Sequence, residues 1–359
     1  DAFMAGFLRG WLKGMPLEKC CEIANACGAL VVSRHGCAPA MASWNELQHY
    51  LAGSWPHRLR ESAELEQLHW STNRHHAREE LTVLAIDHRS QFDELLAELG
   101  AGNEERVSRF KDLSLQALHG LAGGDGRYGV LLDGRFGARA LEAAADLPYW
   151  IGRPIEVPGS RPLAFEGYAD VAMTLREWPI NHVVKVLAFY HPDDDAEMRA
   201  RQDRQLLRLF DACRRTRHEL LVEIIASKHG PVQSDTIARV IDHLYGLGIY
   251  PDWWKLEPSS DPEAWAASEA AILRHDPLCR GIVLLGLSAS QDEVLAGIVA
   301  AAAFPLVKGF AVGRTIFHEV AQQWLAGSIS DTEAVARLDA NLRVLVDGWR
   351  AARHAMVPA

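Results

Sequence analysis

The chain has 359 residues, 48% hydrophobic and 23% charged, the profile of an ordinary globular protein with room for two domains. A formal charge of −10 argues against nucleic acid held through phosphate neutralisation. The longest apolar run, Val294 to Val307, is broken at Pro305 and is too short to span a bilayer, so no membrane partner is expected either. No secretory leader is evident, and the six cysteines, four of them between Cys20 and Cys37, form no C-x-x-C pair. That spacing fits buried thiols in the cytoplasm better than disulfides or zinc.

Residues 1–53 are rich in Ala and Gly with helical periodicity. Residues 54–80, with Pro56 and a dense set of charges, read as a linker or a linking helix. From Leu81 the rhythm changes. Eight short apolar runs follow, LTVLAI, YGVLL, PLAF, VVKVLAF, LLVEII, WWKL, IVLLGL and LVKGFAV, separated by longer amphipathic stretches. Near-continuous apolar runs mark buried parallel strands. Among the intervening stretches, Asp193, Asp194 and Asp195 supply acid to a first helical turn, and Arg214 and Arg215 close that helix. Further on, Ser330 and Glu333 form a capping-box pattern, and Val335, Leu338, Leu342, Leu345 and Trp349 share one helical face. Eight strand–helix alternations over residues 81–359 predict an α/β fold, a (β/α)8 TIM barrel preceded by a short, mostly helical segment. An open doubly wound sheet is the alternative, but no Gly-rich dinucleotide loop follows the first strand.

In such barrels the chemistry sits where the strands end. The polar residues in or just after the apolar runs are Asp87, His88 and Arg89; Asp133 and Arg135; Glu166; Lys185; Glu223; Lys255 and Glu257; Ser288 and Ser290; and Gly313 with Arg314. From Asp87 to Arg314 there are 227 residues over seven intervals, close to one strand–helix unit each. Any one of these charges could simply cap a strand; their recurrence speaks for a site.

Basic residues divide into 30 Arg and 7 Lys, so a lysine inside an apolar run stands out, as Lys185, Lys255 and Lys308 do. Lys255, in DWWKLEP, has the setting of a desolvated amine nucleophile, with Lys185 as a neighbouring cation that would favour its neutral form. The bland alternative is a lysine salt-bridged to Glu257 or Glu223. Asp87 and Glu223 offer carboxylates for proton transfer. Gly286, Ser288, Gly313 and Arg314 offer an anion site from the loops after the seventh and eighth strands, at a helix N-terminus. The histidines His75, His76, His182 and His191 lack metal-ligand spacing, so neither a metal nor any other cofactor is expected.

The pieces AIDHRSQF, GVLLDGRFG, LAFEGYAD, VVKVLAFYHPDD, LVEII, WWKLEP, GLSAS and KGFAVGRTIF, in this order, resemble the class I aldolases that cleave tagatose bisphosphate and sulfofructose phosphate. More specifically, they resemble the barrel fused behind the sugar kinase of bacterial myo-inositol catabolism. The resemblance implies that Lys255 is the Schiff-base lysine, with Asp87, Lys185 and Glu223 around it and Ser288 and Arg314 on the phosphate. His88, Arg135, Asp133 and Glu166 become further substrate contacts. Two departures stand out: Asp-His-Arg replaces the usual Asp-Gln-Arg in the first motif, and Gly134-Arg135 replaces a proline and an acid in the second. Arg135 is therefore the candidate for a substrate carboxylate.

The opening DAFMAGFLRGWL and ANACGALVV are similar to the last part of a ribokinase-family sugar kinase, in which Asp1 would fall on the hydroxyl-activating base. Asn25 and Gly28 would lie near the nucleotide in an intact kinase. The expected organisation is a kinase remnant over 1–53, a linker over 54–80 and an aldolase-like barrel over 81–359, the chain being a fragment of a bifunctional kinase–aldolase. The implied reaction is cleavage of 6-phospho-5-dehydro-2-deoxygluconate to dihydroxyacetone phosphate and malonate semialdehyde. The base is left open between Glu223, Asp87 and a substrate phosphate oxygen. The expected partners are a small phosphorylated keto-sugar acid and further copies of the chain. The rival readings are a sugar kinase carrying a non-catalytic barrel, and a barrel that binds sugar phosphate without turning it over.

Overall fold

The computed structural model describes residues 1–55, 58–74, 78–100, 103–287 and 289–356. The chain divides into two compact units, Asp1–Ala77 and Arg78–Ala359.

The first unit is helical: α1 (Ala2–Leu12), α2 (Leu17–Val32), α3 (Trp44–Ala52) and α4 (Ala63–Asn73). Glycines set the distance between α1 and α2. A Cβ on Gly6 would meet Cys27 Sγ at 2.9 Å, and one on Gly10 would meet Cys20 Sγ at 2.9 Å. The small core holds Ile23, Ala26, Leu30, Leu47 and Leu65. Leu65 lies on α4, so the stretch read as a linker contributes a helix to this unit. Ser62 caps that helix, accepting from the Leu65 amide. One carboxylate is buried here: Glu46 is held by Arg34 at 2.5 Å and by His69 at 2.9 Å.

The second unit is a closed barrel of eight parallel strands in sequence order, a TIM-barrel architecture. Its strands are β1 (Leu81–Ala85), β2 (Tyr128–Leu131), β3 (Trp150–Pro154), β4 (His182–Phe189), β5 (Leu220–Ile225), β6 (Trp253–Leu256), β7 (Gly281–Leu284) and β8 (Val307–Val312). Between and after them run α5 (Ser90–Glu98), α6 (Glu104–Ala122), α7 (Ala138–Ala144), α8 (Val171–Leu175), α9 (Ala196–Thr216), α10 (Thr236–Gly246), α11 (Pro262–His275), α12 (Gln291–Ala301), α13 (Arg314–Leu325) and α14 (Asp331–Met356).

Local signals place several ends. Asp195 accepts from the Met198 amide to start α9, and Ser330 and Glu333 make the reciprocal bonds that start α14. Leu338, Leu342, Leu345 and Trp349 are the buried face of α14. Among the described residues no helix is long and apolar enough to cross a membrane.

The third strand corrects the sequence reading. PLAF is not in the barrel: its Phe165 makes only an isolated antiparallel bridge with Glu156. The strand is Trp150–Pro154, in parallel register with Gly129–Leu131 on one side and His182–Lys185 on the other. Arg153 and Pro154 break its apolar pattern. Arg153 is tolerated because its guanidinium lies over the Trp178 ring, 4.1 Å from the centroid.

Inside the barrel Leu81, Val83, Ala85, Leu131, Trp150, Val183, Leu221, Trp253, Val283 and Ala311 form a separate apolar cluster. Side chains alternate along a strand, so two residues beyond these plugs point the same way. From Val183 that gives Lys185, from Leu221 Glu223, from Trp253 Lys255 and from Ala85 Asp87. A plugged floor with charges one layer above it follows from period two.

Candidate functional site

These charges line a cavity of about 310 Å³ at the C-terminal ends of the strands. Lys185 sits at its centre, with Nζ 2.9 Å from Glu223 Oε2, 3.1 Å from Glu156 Oε1 and 3.2 Å from Asp87 Oδ2. The other oxygen of Glu223 lies 3.0 Å from Lys255 Nζ. Glu223 thus bridges the two lysines, and its register opposite Lys255 on β6 makes the contact direct. All five residues are buried.

Burial by itself would lower the Lys185 ammonium, but Asp87, Glu156 and Glu223 outweigh it and hold its pKa above the ordinary lysine value. Burial would raise the carboxyls of Asp87 and Glu223. Instead Lys185, helped by Lys255, keeps both below the usual carboxylate range, with His88 and Arg89 also acting on Asp87. Both are therefore ionised at neutral pH. Lys185, the second cation expected beside Lys255, is matched by three carboxylates and is joined to Lys255 through Glu223. The Lys255 partner is Glu223, not Glu257. The latter accepts from the Ala226 amide at 2.8 Å and the Ser227 amide at 3.2 Å, and so shapes the turn after β5.

His88 lines the cavity and packs edge-on against Phe317, with ring centroids 5.0 Å apart. Burial lowers its pKa to about 3, although Asp87 pulls the other way, so the imidazole is neutral. Its Nδ1 has no hydrogen-bond partner among the described residues.

Across the cavity, Gly286 and Leu287 after β7 and Gly313 and Arg314 after β8 form the rim. Gly313 is required by space, since a Cβ there would collide with the Ala85 carbonyl oxygen. It precedes α13 with no side-chain cap, which leaves amides of the first turn open. Thr315 ties this turn to the β7 loop through the Ala289 carbonyl at 2.8 Å. Ser288 lies outside the described residues, as do His75 and His76.

Four sequence candidates stand elsewhere. Asp133 is buried, ion-paired with Lys111 of α6, and accepts from the Arg135 and Phe136 amides at 2.9 and 2.7 Å. Its role is to hold the β2 turn. Arg135 lies outside the cavity, bound to Asp93 at 2.8 Å and to Glu104, so the proposed carboxylate contact does not form. Glu166 is half-exposed and bonds to Arg89 at 2.9 Å, a support one step back from the site. Asp1 belongs to the first unit and precedes α1 without forming a side-chain cap.

Several cavity-lining residues escaped the sequence reading, Glu156 and Lys228 among them. Glu156 follows the unrecognised β3; its Oε1 accepts from Lys185 and, at 3.0 Å, from Arg89 Nη2. The signal was there in the alternation Ile155, Glu156, Val157. Lys228 stands at the rim after β5, its Nζ 5.6 Å from the Phe189 ring centroid. As one of seven lysines and just past a strand, it met the same criteria as the others. Among the described residues no cluster of His, Cys, Asp and Glu could hold a metal ion.

Residues 46–353 match the family model described as "Uncharacterized protein conserved in bacteria (DUF2090)". The chain belongs to this family. Residues 1–44 match the pfkB family of carbohydrate kinases. Over 51 residues the DUF2090 chain is 31% identical to the 5-dehydro-2-deoxygluconokinase of Geobacillus thermodenitrificans (strain NG80-2), 14% of this chain. The chain thus spans about 15% of the length of that relative. Among solved structures it is similar to the fructose-bisphosphate aldolase of Plasmodium falciparum, determined in complex with TRAP and a small-molecule inhibitor. That likeness has a TM-score of 0.57 at 14% identity and covers 86% of this chain and 98% of the aldolase. At that identity it is a likeness of fold.

Proposed function

We propose that the barrel is a class I aldolase that forms its Schiff base on Lys255. The observation that carries this reading is a buried lysine lining the cavity, its Nζ 3.0 Å from a Glu223 carboxylate oxygen and so within reach for proton transfer. The substrate is 6-phospho-5-dehydro-2-deoxygluconate, and the cleavage belongs to myo-inositol catabolism. Arg314 and the open amides at the start of α13 hold the phosphate.

The Lys255 amine adds to the ketone at carbon five and water leaves, giving an iminium ion. A base takes the proton of the carbon-three hydroxyl, and the bond between carbons three and four breaks into the iminium to form an enamine. Malonate semialdehyde departs. Protonation at carbon four and hydrolysis then release dihydroxyacetone phosphate and the free lysine. Glu223, through its contact with Lys255, or Asp87 serves as base or relay. Lys185 holds the two carboxylates in position.

Borohydride reduction in the presence of dihydroxyacetone phosphate, followed by peptide mapping, tests the reading. A stable adduct on Lys255 is expected. An adduct on Lys185 alone reverses the roles of the lysines, and no adduct on either defeats the scheme.

The pfkB match of residues 1–44 favours a second reading, in which the first unit belongs to a carbohydrate-kinase module. The barrel would then bind sugar phosphate without turnover. ATP-dependent phosphorylation of 5-dehydro-2-deoxygluconate by this chain, with no cleavage of the product, would bear that out.

A further inference from the structure

The cavity is lined by the neutral His88 and by five cationic side chains: Arg89, Lys185, Lys255, Lys228 and Arg314. The first three are each committed to carboxylates at 2.9 to 3.2 Å. Lys228 and Arg314 differ. Neither forms an ion pair among the described residues, although Glu94 and Glu223 act on Arg314 from a distance. Their places are ordered by the barrel. Lys228 follows β5, Lys255 lies on β6, Gly286 follows β7 and Arg314 follows β8, and these strands are consecutive neighbours. A ligand with an anion at Arg314 and its carbonyl at Lys255 therefore extends toward β5. The Lys228 ammonium lies within cation–π range of Phe189, which restricts where this long side chain can point.

We propose that Lys228 binds the second anionic group of the substrate, a carboxylate at the end remote from the phosphate. The cavity is thus selective for phosphorylated sugar acids over phosphorylated neutral sugars. The orientation of the ligand rests on the aldolase reading; the unpaired cations at two rims of the cavity do not. The role that Arg135 cannot fill passes to Lys228, because Arg135 is neutralised by Asp93 and Glu104 outside the cavity.

The test compares 6-phosphogluconate with sorbitol 6-phosphate, which keeps the phosphate and chain length but lacks the carboxylate. Calorimetric titration of the full chain is expected to show at least about tenfold tighter binding of 6-phosphogluconate, the scale of one charge-assisted contact. Lys228→Met should abolish that preference and leave sorbitol 6-phosphate affinity unchanged, while Lys228→Arg keeps it. No preference in the unaltered chain, or an equal preference in Lys228→Met, overturns the proposal. Borohydride trapping on the same preparations separates the two ideas. Trapping on Lys255 without the carboxylate preference removes Lys228 alone. The preference without trapping removes the aldolase and leaves a pocket for doubly anionic sugars.

Discussion

The two units place their apolar and charged groups in opposite ways. The barrel encloses its apolar side chains in two layers and buries Lys111, Asp133, Lys185, Glu223 and Lys255 among them. The first unit keeps a small core and one buried carboxylate, yet leaves Phe3, Met4, Leu8, Trp11 and Leu12 of α1 exposed. A closed barrel has no sheet edge and satisfies its own backbone, so it can spend stability on buried charge. A four-helix unit of this size has no such surplus. Buried charge is accordingly concentrated in the barrel, where oppositely charged neighbours make burial tolerable.

The largest test of that contrast is Lys255→Met. Aldol cleavage should fall by about 10⁴-fold, the scale on which removing a covalent nucleophile acts, with the melting temperature little changed. Retained cleavage would remove the barrel's claim to the chemistry. Next comes the Lys111–Asp133 pair, which is almost fully enclosed. Lys111→Met should destabilise the barrel by about 3–5 kcal/mol, because a carboxylate is left buried without its partner. Denaturant titration measures it, and a loss under 1 kcal/mol would show that burial of that charge is easily tolerated.

Arg314→Ala should raise KM for phosphorylated substrate by about 10–100-fold, the worth of a charge-assisted contact, with a smaller effect on kcat. An unchanged KM would move the phosphate elsewhere. The pH dependence is a finer probe. Neutral His88 has its folded pKa lowered from 6.5 to about 3, so between those values the unfolded chain binds the extra proton and stability falls as the solution is acidified. Asp87 and Glu223, held low, add stability present above the unfolded carboxylate range and lost as pH falls through their folded values. His88→Gln should therefore reduce the slope of the unfolding free energy between pH 6.5 and 4, with His182, whose pKa is also lowered to about 4, keeping its own share. An unaltered slope would mean that the imidazole is not held neutral.

The smallest effect belongs to the first unit. Leu12→Gln should shift stability by no more than about 0.5 kcal/mol, since Leu12 is 80% exposed. Removing residues 1–77 should leave barrel unfolding and borohydride trapping intact. Loss of either would show that the two units are not as separable as their cores imply.

Much of this was legible in the sequence, and for a physical reason. Strands buried on both faces must be apolar throughout, which made seven of eight visible. A lysine or glutamate inside such a run is costly unless used, which marked Lys185, Glu223 and Lys255. The alternation of side chains along a strand put those three on one layer. What the sequence could not decide was pairing across the barrel. Arg153 and Pro154 hid β3, and with it Glu156, because the packing that tolerates them, Trp178 against the guanidinium, lies 25 residues away from Arg153.

The same limit governed the charges. The sequence made Lys185 a neighbouring cation of Lys255 and Arg135 a substrate contact, whereas the fold surrounds one with three carboxylates and sends the other to Asp93 and Glu104. Residue type and spacing determined which groups stand at the strand ends. Which of them neutralise one another depends on distances of about 3 Å, set by register between neighbouring strands for Glu223 with Lys185 and Lys255, and by closure of the barrel for Asp87 with Lys185.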